Sequence, residues 1–185
     1  MTFLQYLESI YHNTLVRKAR NFAQEKHQGQ MRKDGKPYFT HPDRVAKIVA
    51  KNKKSKNKDA LVAAAYLHDT IEDTATTIDE IRELFGDLVA NIVGELTSDK
   101  EQIQKTNKTD YLIKKMSGMS NYALYAKLSD RLDNISDLHK SSPEFRERYT
   151  KETKNILEQL SASRQFTKSQ QRIINQIYKK LSKLN

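Results

Sequence analysis

The sequence predicts an all-α protein of one domain, and three observations carry that prediction. Glycine and proline are scarce, five and three in 185 residues, so few points punctuate the chain. Apolar residues recur at three- and four-residue spacing, while β-branched residues nowhere alternate with polar ones over a long stretch. The length suits a single domain that buries most of its apolar surface, and neither an internal repeat nor an interdomain linker interrupts the pattern.

Taken in order, Leu4, Leu7, Tyr11, Leu15, Ala19 and Phe22 predict a first amphipathic helix that ends before Gly29. The segment HQGQMRKDGKPYFTHP holds two of the glycines and two of the prolines and reads as an ordered loop. A second helix starts near His41, with Pro42 in its first turn and Val45, Ile48 and Val49 facing inward. The run KNKKSKNK is a solvated basic turn, and ALVAAAYLHD a buried helix with polar residues at its end.

Thr77 and Glu80 form a capping-box pattern ahead of Ile81, Leu84 and Phe85. After Gly86, a further short helix carries Leu88, Val89, Ile92, Val93 and Leu96. Residues 97–109 are polar without a period and read as a loop. Leu124, Leu128, Leu132, Ile135 and Leu138 predict a helix bearing Asp130 and Asn134. Two more helices close the chain, one through Tyr149, Ile156 and Leu160, the other through Ile173, Ile174, Ile177 and Leu181 after a Thr167/Gln170 capping box. The expected organisation is one domain over 1–185, with its core over about 22–160 and a basic C-terminal helix over about 167–185.

Composition narrows the chemistry. With no cysteine, disulfides, zinc–thiolate sites, iron–sulfur clusters and cysteine nucleophiles are excluded, so a metal would sit on nitrogen and oxygen ligands. The N-terminus MTFLQYLESI lacks a basic leader and an uninterrupted apolar core, which predicts a cytoplasmic protein with no membrane partner. A net charge of +10 points to anionic partners without choosing among them. His12, His27 and His139 read as surface or local capping residues, and Met116 and Met119 as helix packing.

Three separated segments each place ligand-type residues beside an apolar helical stretch: His41, the pair His68 and Asp69, and Asp130. Two imidazoles and two carboxylates suit manganese, iron, zinc or magnesium and leave positions for water and substrate, manganese being the first choice. Glu72 and Asp73 follow within a turn; if the helix continues, Glu72 lies on the His68 side and Asp73 on the Asp69 side. Such crowding costs energy unless a cation neutralises it or a carboxyl holds a proton, and both outcomes serve hydrolysis.

The segments GQMRKDGKPYFTHPDRVAKIVA, AAYLHDTIEDT, FGDLVANIVGELTSDK and KLSDRLDNISDL resemble, in order, the hydrolase domain of Rel/SpoT proteins, the small alarmone hydrolases and the metazoan SpoT homologue, over about Phe22 to Tyr149. The resemblance implies an all-helical bundle of the HD superfamily that holds one manganese ion per chain on His41, His68, Asp69 and Asp130. Glu72 and Asp73 would position and deprotonate the attacking water. Arg32 and Lys33 would contact the base or phosphates, Lys100 and Lys127 the phosphates, Asn134 the sugar-phosphate region, and Tyr38 and Tyr149 the nucleoside.

The expected activity is hydrolysis of the 3′-pyrophosphate of the guanosine polyphosphates ppGpp and pppGpp to GDP or GTP plus pyrophosphate. Alternatives are an HD phosphohydrolase of an adenosine alarmone or NADPH, and a non-catalytic protein that binds nucleotide or nucleic acid. One departure is visible, since many bifunctional Rel enzymes carry His where this chain has Asp133. Taken as the full product, 185 residues leave no room for a synthetase domain. The basic run Lys51 to Lys58 and the cations Lys168, Arg172, Lys179, Lys180 and Lys183 read mainly as solubilising, with nucleic-acid binding the minority expectation.

Overall fold

The computed structural model describes Gln5, residues 14–52 and residues 55–184. Among these residues the regular structure is helical, and the one pairing of extended backbone is an isolated antiparallel bridge between Met31 and Pro37. None of the described helices is long and apolar enough to cross a membrane. The chain divides into two compact units, Met1–Thr97 and Ser98–Asn185.

In the first unit, α1 (Thr14–Lys26), α2 (Thr40–Asn52) and α6 (Asp87–Leu96) pack against α3 (Lys58–Leu67). The reason is composition: after Lys58 and Asp59, α3 is apolar on every face, and Leu61 to Leu67 are all buried. Each fully buried leucine there contributes roughly 1.5–3 kcal/mol. The expected end of the first helix before Gly29 holds, whereas Leu4, Leu7, Tyr11 and His12 lie outside the described residues, as do Lys53 and Lys54 of the basic turn.

The buried helix stops earlier than an uninterrupted reading of its motif requires. It ends at Leu67, His68 and Asp69 form a turn, and a single helical turn, α4 (Thr70–Asp73), follows. The carbonyls released at the break find side-chain donors: His68 Nδ1 lies 2.8 Å from the Ala65 carbonyl, and Thr70 Oγ1 donates to Leu67 across 2.8 Å.

Helix α5 (Ile78–Phe85) carries half of its expected capping box. Thr77 accepts from the Glu80 amide at 3.2 Å, but the Glu80 carboxylate turns to Lys26 of α1, 2.9 Å away. Gly86, at φ 83, lets the chain turn directly into α6.

In the second unit, α7 (Lys100–Lys105) and α8 (Lys108–Gly118) precede the long α9 (Asn121–Asp137), a 3-10 turn (Leu138–Lys140), α10 (Pro143–Ser163) and α11 (Lys168–Leu181). Helix α9 packs on α11 and α8 on α10, around Leu124, Leu128, Ile156, Leu160, Ile173 and Ile177. The loop expected over 97–109 is corrected here. Asp99 caps α7 by accepting from the Glu101 and Gln102 amides at 2.9 and 3.0 Å, and Asn107 caps α8. Because α7 buries none of its residues, it has no apolar stripe for a periodicity reading to detect. The Thr167/Gln170 box is complete in both directions.

Candidate metal centre and catalytic pair

The loop before α2 is built from its turn residues. Gly35 N donates to the Arg32 carbonyl at 2.9 Å and Arg32 N to the Lys36 carbonyl at 2.8 Å, with Gly35 at φ 76. This is a three-residue hairpin loop whose left-handed position requires glycine. It leaves Lys33 exposed near its tip and Arg32 half-buried beside it, and it delivers Tyr38 and His41 to the start of α2.

There the first unit assembles its chemistry. His41 and His68 are both buried, with ring centroids 5.2 Å apart. Asp69 Oδ2 lies 3.7 Å from His41 Nε2 and 3.1 Å from His68 Nε2. The protonation pattern of His68 follows from its partners. A carbonyl oxygen only accepts, so His68 Nδ1 carries the hydrogen toward Ala65, and in the neutral ring Nε2 turns a lone pair toward the Asp69 carboxylate. Two acceptors at that separation need a cation or a proton between them. A backbone carbonyl orienting the far nitrogen of an imidazole is also the usual support of a metal-ligating histidine, so the donor set fits a divalent metal.

Tyr38, expected near the nucleoside, has its hydroxyl engaged within the site. That group donates to Asp69 Oδ2 across 2.7 Å. Burial, reinforced by the Asp69 and Asp73 carboxylates, pushes the phenol far above its usual range, so it remains a protonated donor. Glu72 is half-buried and Asp73 exposed on the short α4, where the Asp73 amide donates to the Asp69 carbonyl at 3.0 Å.

The expectation that His27 is a surface or capping residue is corrected, since it is 2% exposed. Its Nδ1 lies 2.8 Å from Gln30 Oε1, and Gln30 Nε2 donates to the Asp73 carbonyl at 2.8 Å. Periodicity could not find this pair because it lies in a loop; the available signal was the spacing His27-x-x-Gln30 beside a glycine. His139 is exposed, with Nδ1 near the Ser136 carbonyl, as a local capping role requires.

In the second unit, Lys127, Asp130 and Asn134 share one face of α9. Lys127 Nζ lies 3.0 Å from Asp130 Oδ2, and Asn134 Nδ2 donates to Asp130 Oδ1 at 2.7 Å. The buried Arg131 donates to Thr153 Oγ1 at 2.8 Å and to Glu152 Oε1 at 3.0 Å. Its guanidinium sits 4.9 Å from the Tyr149 ring, which also stacks on Phe145. Tyr149 is therefore engaged in packing, and burial raises its phenol's pKa. Lys100 is exposed at the start of α7, and Asp133 is buried.

Four similarities to known proteins bear on this arrangement. The sequence pattern of the HD domain matches residues 19–167. A guanosine-3′,5′-bis(diphosphate) 3′-pyrophosphohydrolase, MESH1, from Xenopus tropicalis is 42% identical over 132 residues, covering 70% of this chain and 73% of its own. The protein of the same name from Danio rerio is 40% identical over 126 residues, covering 67% and 69%. A solved structure described as a metazoan ortholog of SpoT that hydrolyzes ppGpp superposes with a TM-score of 0.76 at 25% identity, over 90% of this chain and 95% of that one.

Proposed function

The chain belongs to the HD domain family, and from that premise we propose that it is a metal-dependent hydrolase of the 3′-pyrophosphate of ppGpp and pppGpp. The observation that carries the reading is His68 Nε2 at 3.1 Å from the Asp69 carboxylate, with His41 Nε2 3.7 Å from the same oxygen, a donor set that a divalent cation satisfies. The names of the relatives, similar over two thirds or more of their length, supply the substrate class. The match over residues 19–167 supports a single HD domain.

In this reading His41, His68, Asp69 and Asp130 hold one manganese ion, with Tyr38 orienting Asp69 and with Lys127 and Asn134 orienting Asp130. A bound divalent ion neutralises phosphate charge and lowers the pKa of water. Glu72 and Asp73 orient the attacking water and take up its proton. The water oxygen bonds to phosphorus, the bond from phosphorus to the ribose 3′ oxygen breaks, and a proton passes to that oxygen to form the 3′ hydroxyl, giving GDP or GTP plus pyrophosphate.

Arg32 and Lys33 are read as contacts to the base or phosphates. A guanidinium both stacks on a base and pairs with phosphate oxygens. Lys100 and Lys127 serve the phosphates, Asn134 the sugar-phosphate region and Tyr149 the nucleoside side. A cytoplasmic site of action is part of the same proposal, since the proposed substrate is a nucleotide; no described helix is long and apolar enough to cross a membrane.

The test is incubation of the purified protein with ppGpp and manganese, followed by chromatography. Chelator and Glu72→Ala/Asp73→Ala controls run alongside. Metal-dependent GDP and pyrophosphate, absent from both controls, is the expected result; intact ppGpp, with turnover of an adenosine alarmone or NADPH instead, overturns the substrate assignment.

A further inference from the structure

We propose that His27 and Gln30 are positioning residues that lock the backbone of Asp73, and so aim the Glu72 and Asp73 carboxylates; this rests on the function proposed above. The argument begins with the weakness of α4. A helix of four residues does not sustain itself, because one turn fixes several dihedrals for a single hydrogen bond. The direction of its side chains is therefore set by ties from outside.

One of those ties is Gln30. The Asp73 carbonyl only accepts, so the Gln30 amide must present Nε2 to it, at 2.8 Å. That choice turns Oε1 toward His27 Nδ1, also at 2.8 Å, and an amide oxygen only accepts. His27 must then donate from Nδ1. The whole chain of polarity, from imidazole through amide to carbonyl, has one consistent assignment.

Local backbone brings the two side chains together. Gln30 N donates to the His27 carbonyl at 3.1 Å, closing a turn whose third residue, Gly29, sits at φ 80. A turn of this kind holds the ends of a His-x-x-Gln segment side by side.

The imidazole braces the other end of the same segment as well. Its ring packs against Tyr38 with centroids 4.8 Å apart, and the Tyr38 hydroxyl holds Asp69. One buried ring thus supports Asp69 through Tyr38 and Asp73 through Gln30, the two residues that bound the catalytic turn. Its Nε2 is buried without a hydrogen-bond partner among the described residues, so the hydrogen-bonding work of the ring falls on Nδ1.

Gln30→Glu isolates the tie, since it keeps the shape and the acceptor facing His27 but loses the donor facing Asp73. The measurements are kcat and KM for ppGpp, manganese affinity by calorimetry, and Tm. A misplacement of about 1 Å costs on the order of 100-fold, so kcat should fall by about 10- to 100-fold, with KM and manganese affinity within about threefold. A kcat within twofold of the parent's, or a loss of metal affinity that accounts for the fall, overturns the proposal.

A second measurement needs no substrate. Nitrogen-correlated NMR of the metal-free protein should show His27 protonated at Nδ1. An Nε2-protonated neutral ring overturns the brace even where ppGpp is hydrolysed, whereas Nδ1 protonation in a protein that leaves ppGpp intact supports the brace and overturns the substrate reading alone.

Discussion

The Tyr38 hydroxyl donates to Asp69 Oδ2 across 2.7 Å, which makes a tyrosine from the loop before α2 the holder of a carboxylate from the turn after α3. Removing the donor should loosen the proposed metal ligand. For Tyr38→Phe, manganese affinity is expected to drop about 10- to 100-fold, the usual effect of losing an outer-shell partner. KM for ppGpp at saturating metal should stay within about threefold. A raised KM with unchanged metal affinity, read by calorimetry and steady-state kinetics, would instead assign Tyr38 to the nucleoside.

His68→Ala and Asp69→Ala each remove one of two groups 3.1 Å apart. Both variants are expected to purify without stoichiometric metal and without hydrolase activity. Metal content by elemental analysis beside a turnover assay checks this, and an active metal-free variant contradicts the scheme.

Arg164 closes the end of α8. Its Nη1 donates to the carbonyls of Met116, Ser117 and Met119 at 3.0, 3.2 and 2.9 Å, groups that the helix itself leaves without amide partners. Arg164→Ala should lower stability by about 1–3 kcal/mol, the cost of leaving such acceptors unsatisfied. Urea denaturation measures it, and an unchanged midpoint refutes the capping role.

Asp99 gives a pH prediction. Bonds from the Gln102 and Glu101 amides hold its carboxyl below the usual value of 3.8. A carboxyl whose pKa is depressed on folding adds stability above its unfolded value, and that stability is lost as pH falls through the folded value. Asparagine caps comparably but does not titrate. The stability advantage of the parent over Asp99→Asn should therefore be present at neutral pH and vanish in acid below 3.8, as read by thermal melts across that range. A gap independent of pH counts against this assignment.

Much of the fold was legible because burial imposes a period. Val45 and Val49, Leu124, Leu128 and Leu132, and Ile173 and Ile177 are all buried as their spacing requires. Helix α7 escaped because Asp99, not a buried stripe, defines it. The helix break at His68 escaped for a related reason: apolar spacing fixes where a helix can pack, while its end depends on which side chains satisfy the released carbonyls.

The candidate site divides in the same way. The sequence alone determined the residue types, namely His41, His68 and Asp69 beside the Glu72 and Asp73 pair, because nitrogen and oxygen donors next to apolar helices limit the chemistry they can perform. Tertiary structure alone decided which partners Tyr38, Gln30 and His27 meet. The family resemblance suggested Tyr38 near the nucleoside, and His27 read as a surface or local capping residue; packing sets the Tyr38 hydroxyl on Asp69 and buries His27 against Gln30. The physical reason is that a periodic pattern encodes which face of a helix is buried, whereas a loop's hydrogen bonds depend on partners that only the folded chain brings within 3 Å.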